Sequence, residues 1–275
     1  MGTTCVEIAV LDDWRLLAAL DSLASQTRPP DRILIVASTA TPEPLLATAR
    51  ERLPHVRVDA ARFPGGVVDA RSAALALLAE DATLFLDSDE RAPPGWLATI
   101  VAPLEAGTAD FSGGPTQPLR PPATAVERYS VLLEASIYRD LVPRSVTYLP
   151  LQNSAWRTSV LRSVGFDPRI PFAEDHDLET RAAHAGARGV FVPAAFVYHD
   201  PGSGGSILRW ARKRYWYLVA MAMSLLKNRA LRGRMEERRP AVRHPLRYAE
   251  AVMKPFALAH AWIRWRRVGG TERAG

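Results

Sequence analysis

The sequence has a single cysteine, Cys5, so no disulfide can form within the chain, and no Cys/His cluster has zinc spacing. A reducing compartment fits, and the expected location is the cytoplasm. The first ten residues lack the basic and apolar regions of a secretory signal. Long apolar runs are missing as well. The longest, Tyr215 to Leu226, falls short of the roughly 20 residues that a bilayer demands. There is no solenoid repeat. Nor is there a glycine-rich basic loop after the first predicted strand, where Leu11-Asp-Asp-Trp14 is acidic. That absence counts against nucleotidyl transfer, whose chemistry needs such a phosphate cradle.

What is present suits a globular protein. The chain has 275 residues, enough for one substantial core with an appended helical segment. At 48% hydrophobic and 23% charged, it can bury enough apolar surface to fold. The net charge of +6 is unevenly spread. Residues 1–205 hold 18 Arg/Lys and 25 Asp/Glu, a net −7, whereas residues 206–275 hold 17 and 4, a net +13. An acidic body for a divalent cation and a basic tail for an anionic surface are the expectation.

Apolar runs at Val6 to Leu11, Ile33 to Val36, Val56 to Val58 and Thr83 to Leu86 read as strands. They alternate with helices, one capped by Asp12 or Asp13 and carrying Leu16, Leu17, Leu20 and Leu23. Another spans Pro44 to Arg52, and Asp69 is expected to cap one over Ala70 to Ala79. This alternation predicts an α/β fold, a mostly parallel sheet with helices on both faces. Ligands then bind outside the carboxyl ends of the strands, where Asp12, Asp13, Asp87 and Asp89 gather. After a Pro/Gly-rich stretch from Gly113 to Pro122, helices are expected over Ala123 to Asp140, Ala155 to Val164 and from Glu174. Arg188 to Val192 and Ala195 to Tyr198 read as extended, and beyond Gly202-Ser-Gly-Gly205 come long basic, aromatic helices. The expected division is residues 1–205 as the main domain and 206–275 as a basic amphipathic helical extension.

Three acidic or histidine sites carry chemistry. Asp87-Ser-Asp89 ends a strand, and positions i and i+2 of an extended chain face one side. Two such carboxylates suit Mg²⁺ or Mn²⁺ bridging to a substrate phosphate. In Glu174-Asp175-His176-Asp177, a carboxylate can take a proton from an attacking hydroxyl. A plain alternative is an acidic helix start that favours the macrodipole. His199, at the end of Phe196-Val-Tyr-His199, can serve as a further metal ligand or as a surface residue.

The ordered set Asp87-Ser-Asp89, Asn153-Ser-Ala-Trp-Arg157, Val164-Gly-Phe-Asp167, Glu174-Asp175 and His199 resembles the family-2 glycosyltransferases, over roughly residues 5–200. That resemblance implies the GT-A fold, a Rossmann-like sheet flanked by helices, and transfer of a sugar from a nucleotide-diphosphate donor to an acceptor hydroxyl with inversion. It implies that Asp12, Arg71 and Asp87 bind the nucleotide sugar, Asp89 and His199 bind a divalent metal (Mn²⁺ or Mg²⁺), and Asp175 is the catalytic base. Pocket shape would come from Gly113 to Pro118, Trp156 and the loop Asp167 to Ala173. The chain departs from the family pattern at Ala37, where an aspartate often reads uracil, at Ser72 in place of asparagine, and in a shortened Gly165-Phe-Asp167. A non-catalytic module is the competing class, and retention of Asp87, Asp89, Asp175 and His199 together argues against it.

Residues 206–230 interleave Arg209, Arg212, Lys213, Arg214, Lys227 and Arg229 with Trp210, Tyr215, Trp216 and Tyr217. Trp262 and Trp265 recur beside Arg264, Arg266 and Arg267. Such a helix suits peripheral contact with an anionic membrane at the inner face, or a helical cover packed on the core. A lipid-linked acceptor fits the first of these. Nucleic acid is not an expected partner, because no recognition motif accompanies the charge.

Overall fold

The computed structural model describes residues 2–138, 145–146, 149–200, 206–228 and 242–269. Four parallel strands, β1 (Thr4–Val10), β2 (Arg32–Ser38), β3 (Arg57–Phe63) and β4 (Ala82–Leu86), form one half of the main sheet. The runs of β1, β2 and β4 are mostly apolar because both faces are covered, whereas the edge strand β3 carries Arg57, Asp59 and Arg62. On one face Val6, Ile8, Ile33, Ile35, Leu84 and Leu86 enter one core, and on the other Cys5, Leu34, Val36 and Phe85 enter a second. The first core is closed by α1 (Leu16–Ala24), α2 (Glu43–Arg52) and α4 (Trp96–Glu105). The second is closed by α3 (Val67–Ala74), the end of α5 (Ala125–Tyr138), α6 (Thr158–Val164) and α7 (Glu174–His184).

Short strands complete the sheet: β6 (Phe111–Gly113), β8 (Ser145–Val146), β9 (Asn153–Arg157) and β10 (Gly189–Phe191). The order is β3-β2-β1-β4-β9-β6-β10-β8, with β9 antiparallel to both its neighbours. The chain winds outward from β1 to β3, then returns to place β4 on the other side of β1. That reversal opens a crevice at the carboxyl ends of β1 and β4, the usual ligand position in such sheets. A second sheet of three strands, β5 (Glu90–Arg91), β11 (Val197–His199) and β7 (Thr116–Pro118), stands beside it in the order β5-β11-β7.

Several elements differ from the sequence expectation for local reasons. Ala155 to Arg157 are not helical: they belong to β9, where Trp156 is fully buried and stacks on Phe111 at 4.4 Å. Trp156 is therefore a core residue and lines no ligand pocket. The third strand runs on to Phe63, well past Val58. The helix expected from Ala70 starts at Val67, and Asp69 acts from its first turn, accepting from the Gly66 N–H at 2.9 Å. Neither Asp12 nor Asp13 is the N-cap of α1, because Arg15 occupies that position. Gly114 is required by a close approach, since a Cβ there would lie 1.8 Å from the Ala195 carbonyl oxygen.

The basic C-terminal segment packs onto this body. Within α8 (Ile207–Lys227), Val219, Ala220, Ala222 and Met223 bury against Ile170 and Ala173 and against Ala257 and Ala261 of α9 (Pro245–Gly269). Lys227 reaches Asp167 at 2.6 Å and Asp177 at 2.9 Å, and Asn228 donates to Asp177. Trp210 packs edge-on to the buried Tyr129 of α5. The aromatic face of α8 is thus largely spent inward. Gly202-Ser-Gly-Gly205 and Arg229 lie outside the described residues. Among the described residues no helix is long and apolar enough to cross a membrane.

Candidate functional site

The crevice is built from two loops. After β1, Asp13 takes a bidentate contact from Arg15, whose Nε and Nη2 lie within 2.9 and 2.7 Å of its oxygens. After β4, the turn Asp87-Ser-Asp89 leans on the same group, with the Ser88 hydroxyl donating to Asp13 at 3.3 Å. Arg15 also stands 3.4 Å from Asp89 and 3.6 Å from Asp200. Asp12 is exposed on the first loop, so the carboxylate engaged with the turn is Asp13. Glu90 closes the turn from below, accepting from the Asp87 N–H at 3.0 Å. It is fully enclosed, and its other oxygen has no hydrogen-bond partner among the described residues. Burial, then the Asp87 charge, pushes the Glu90 carboxyl well above the usual range.

Backbone pairing explains why a distant histidine arrives here. His199 lies opposite Glu90 in the antiparallel β11–β5 ladder, and the Asp200 N–H donates to the Asp89 carbonyl at 3.0 Å. This register sets the His199 Nε2 3.5 Å from Asp89 Oδ2. Its Nδ1 lies 3.2 Å from Glu134 on α5. Burial opposes a charge on His199, but the hydrogen bonds with Asp89 and Glu134 outweigh it and push its pKa up to about 11. Burial likewise raises Asp89, yet the hydrogen bond and charge of His199, then Arg15, hold it below the usual carboxylate range. Without a bound cation these two form an ion pair.

The acidic helix start is tied to this turn by one guanidinium. Arg71 of α3, almost wholly buried, places Nη2 3.3 Å from Asp87, Nη1 3.1 Å from Glu174 and Nε 3.1 Å from Glu7 of β1. Asp175 follows Glu174 in the first turn of α7, and its carboxylate accepts from the His176 N–H at 2.7 Å. The end of β4 and the start of α7 are therefore held side by side. Asp87 is partly exposed there; burial raises its carboxyl, opposed by Arg71 and reinforced by Asp89. Arg71 itself is too enclosed to offer a donor more than its grip on Asp87.

Of the residues expected from sequence, Asp87, Asp89, Arg71 and His199 lie together with Asp13, and Asp175 stands next to Glu174, which Arg71 holds. Sequence reasoning missed Glu7, Glu90 and Glu134. Glu7 interrupts an otherwise apolar strand, a signal that was visible. Glu134, on a helix of ordinary composition, gave none. Asn153 and Asp167, members of the ordered motif set, are structural. Asn153 accepts from the Trp96 indole and donates to the Ala195 carbonyl, while Asp167 pairs with Arg169 and Lys227. A depression of about 650 Å³ lined by Phe166, Asp167, Arg169, Arg181 and Lys227 shares no residue with the cleft. Its cations are already paired with Asp167 or Asp177.

Among the described residues, no group of three or more His, Cys, Asp or Glu side chains is arranged to hold a metal ion by itself. Asp89 and His199 supply two donors, a carboxylate and an imidazole. That set fits a cation completed by phosphate oxygens from a substrate, the usual mode for Mg²⁺ and its relatives.

Comparison with known proteins agrees with this architecture. The family described as glycosyl transferase family group 2 matches residues 82–267, and glycosyl transferase family 2 matches residues 14–146. A pre-mycofactocin glycosyltransferase of Mycobacterium tuberculosis is 30% identical over 204 residues, covering 72% of this chain and 39% of the relative. The chain thus spans about two fifths of the length of that curated relative. The mannosyltransferase PcManGT from Pyrobaculum calidifontis, solved with GDP-Man and Mn²⁺, is 19% identical and superposes with a TM-score of 0.65 over 100% of this chain and 76% of its own. TarS 1-349 of S. aureus with UDP-GlcNAc is 16% identical and gives 0.61 over 96% and 73%. GalNAc-T7 with UDP, GalNAc and Mn²⁺ is 15% identical and gives 0.58 over 85% and 54%. These neighbours establish the fold as GT-A.

Proposed function

Since the chain belongs to the family-2 glycosyltransferases, we propose that it transfers a sugar from a nucleotide-diphosphate donor to an acceptor hydroxyl with inversion, using Asp175 as general base. The observation that carries this reading is the Arg71 bridge, which ties the Asp87 turn to the first turn of the helix that bears Asp175. Asp87 contacts the ribose or sugar, and Asp89 with His199 holds a divalent cation, Mn²⁺ or Mg²⁺. When bound, that cation stabilises charge developing on the diphosphate. Glu134 fixes the His199 ring through Nδ1 and leaves Nε2 directed to Asp89, the role outer partners have at ligating histidines. Glu90 sets the backbone of the turn.

In the reaction, the acceptor O–H gives its proton to the Asp175 carboxylate as the oxygen attacks the anomeric carbon. The bond from that carbon to the diphosphate breaks on the opposite face, and the nucleoside diphosphate leaves with the electron pair. An oxocarbenium-like transition state is expected, as in glycoside hydrolysis. The acceptor is an alcohol, and a lipid-borne alcohol suits the basic C-terminal segment. The donors printed for the structural neighbours, GDP-Man and UDP-GlcNAc, make these the first to try.

The test is a thermal-shift panel of nucleotide sugars with Mn²⁺ or Mg²⁺, then product analysis. Asp175→Asn should keep donor binding while transfer falls by about 10²–10⁴-fold, the usual contribution of a general base. Undiminished transfer by that variant would remove Asp175 from the role.

A further inference from the structure

The helix α9 is apolar on two sides, and among the described residues only one of them is covered. Leu246, Ala257 and Ala261 are buried against α5 and α8. On the opposite side Tyr248, Val252, Phe256 and Ile263 are 78%, 67%, 66% and 46% exposed. Their spacing of four, four and seven residues places them on one stripe of a helix. At 1.5 Å per residue the stripe runs for ~22 Å. Trp262 flanks it, with the Arg266 guanidinium 3.9 Å above its ring. Scattered exposed apolar residues need no explanation, but a continuous stripe of this length marks a contact surface.

Charge identifies what the stripe meets. The only acid of α9 is Glu250, buried and paired with Arg214 and Arg247. Lys254, Arg266 and Arg267 are exposed on the same helix, and Arg209, Arg212 and Lys213 are exposed on α8. A second copy of the chain would bring like charge to this face, and bare nucleic acid offers nothing to an aliphatic stripe. We propose that α9 lies in the plane of an anionic lipid surface, with Val252, Phe256 and Ile263 in the acyl boundary. Arg266 and Arg267 sit at the phosphates and Trp262 at headgroup level. This places the contact on α9 and not on residues 206–230, whose aromatic rings pack inward. The surface is independent of the transfer chemistry, so its test does not depend on a donor or acceptor.

The experiment is co-sedimentation of the full chain with phosphatidylcholine vesicles, with and without about one-third phosphatidylglycerol, at low and high salt. Two variants accompany it: Val252→Ser/Phe256→Ser/Ile263→Ser, and Arg266→Gln/Arg267→Gln. All five positions are exposed, so unchanged far-UV circular dichroism is expected. The chain should bind the phosphatidylglycerol vesicles, and the triple variant should lose ~10-fold or more in affinity. The arginine variant should weaken binding mainly at low salt, as screening predicts. Absence of binding at low salt overturns the proposal. So does full binding by the triple variant, or a dimer in light scattering that the triple variant abolishes while vesicles are ignored.

Discussion

Replacing Glu7 with glutamine should make the folded chain less sensitive to rising pH. Glu7 sits in the middle of β1 with no exposed surface; one oxygen meets Arg71, and Oε2 has no hydrogen-bond partner among the described residues. Burial, against the opposing pull of Arg71, lifts its pKa from 4.5 to about 7. Between those values the folded chain keeps a proton that the unfolded chain has released, so stability falls as pH rises, and the loss is complete above the folded pKa. At about 1.36 kcal/mol per pH unit, the window is worth about 3 kcal/mol. Glutamine keeps an amide oxygen for the Arg71 Nε and does not titrate. The stability of Glu7→Gln relative to wild type should therefore climb by about 3 kcal/mol from pH 4.5 to above 7. Asp87, Glu90 and Glu179 are also raised, but both chains carry them and they cancel in the difference. Urea unfolding followed by tryptophan fluorescence across this range measures it. Parallel stability curves for the two proteins would refute the argument that Glu7 carries this burden.

Two further outcomes test the supports of the cleft. Glu134→Ala frees Nδ1 of His199 and should weaken Mn²⁺ binding about 10- to 100-fold in calorimetry with pyrophosphate as co-ligand; unchanged affinity would remove Glu134 from this role. Gly114→Ala drives a methyl into the Ala195 carbonyl, so a loss of about 3 kcal/mol in chemical unfolding is expected, and a neutral result would mean that the two loops separate freely.

Much of this arrangement was legible from residue order. Continuous apolar runs ending in acids locate β1, β4 and the crevice between them, because a sheet covered on both faces leaves no polar alternation. Ala155 to Arg157 misled because a five-residue strand flanking a helix carries no period of its own, and only the Phe111–Trp156 stack settles it. Arg71 read as a donor contact, since sequence cannot show that three carboxylates from three elements enclose it. Glu134 was invisible for the same reason: its importance comes from a register in another sheet. The outward stripe of α9 was hidden too, because a helix apolar on both sides looks simply buried.

The three-stranded sheet gives this chain an assembly schedule. The first four strands join through local crossovers and can associate as soon as they are made. The partner of Asp89 comes from β11, far along the chain, and contacts of such separation form slowly. The edge that carries Asp13 and Asp87 is thus complete before the edge that carries His199 exists. A ribbon of two- and three-residue strands is also the first part of such a molecule to open on warming. The Asp89–His199 contact is gained last and surrendered earliest, while the larger sheet outlives it.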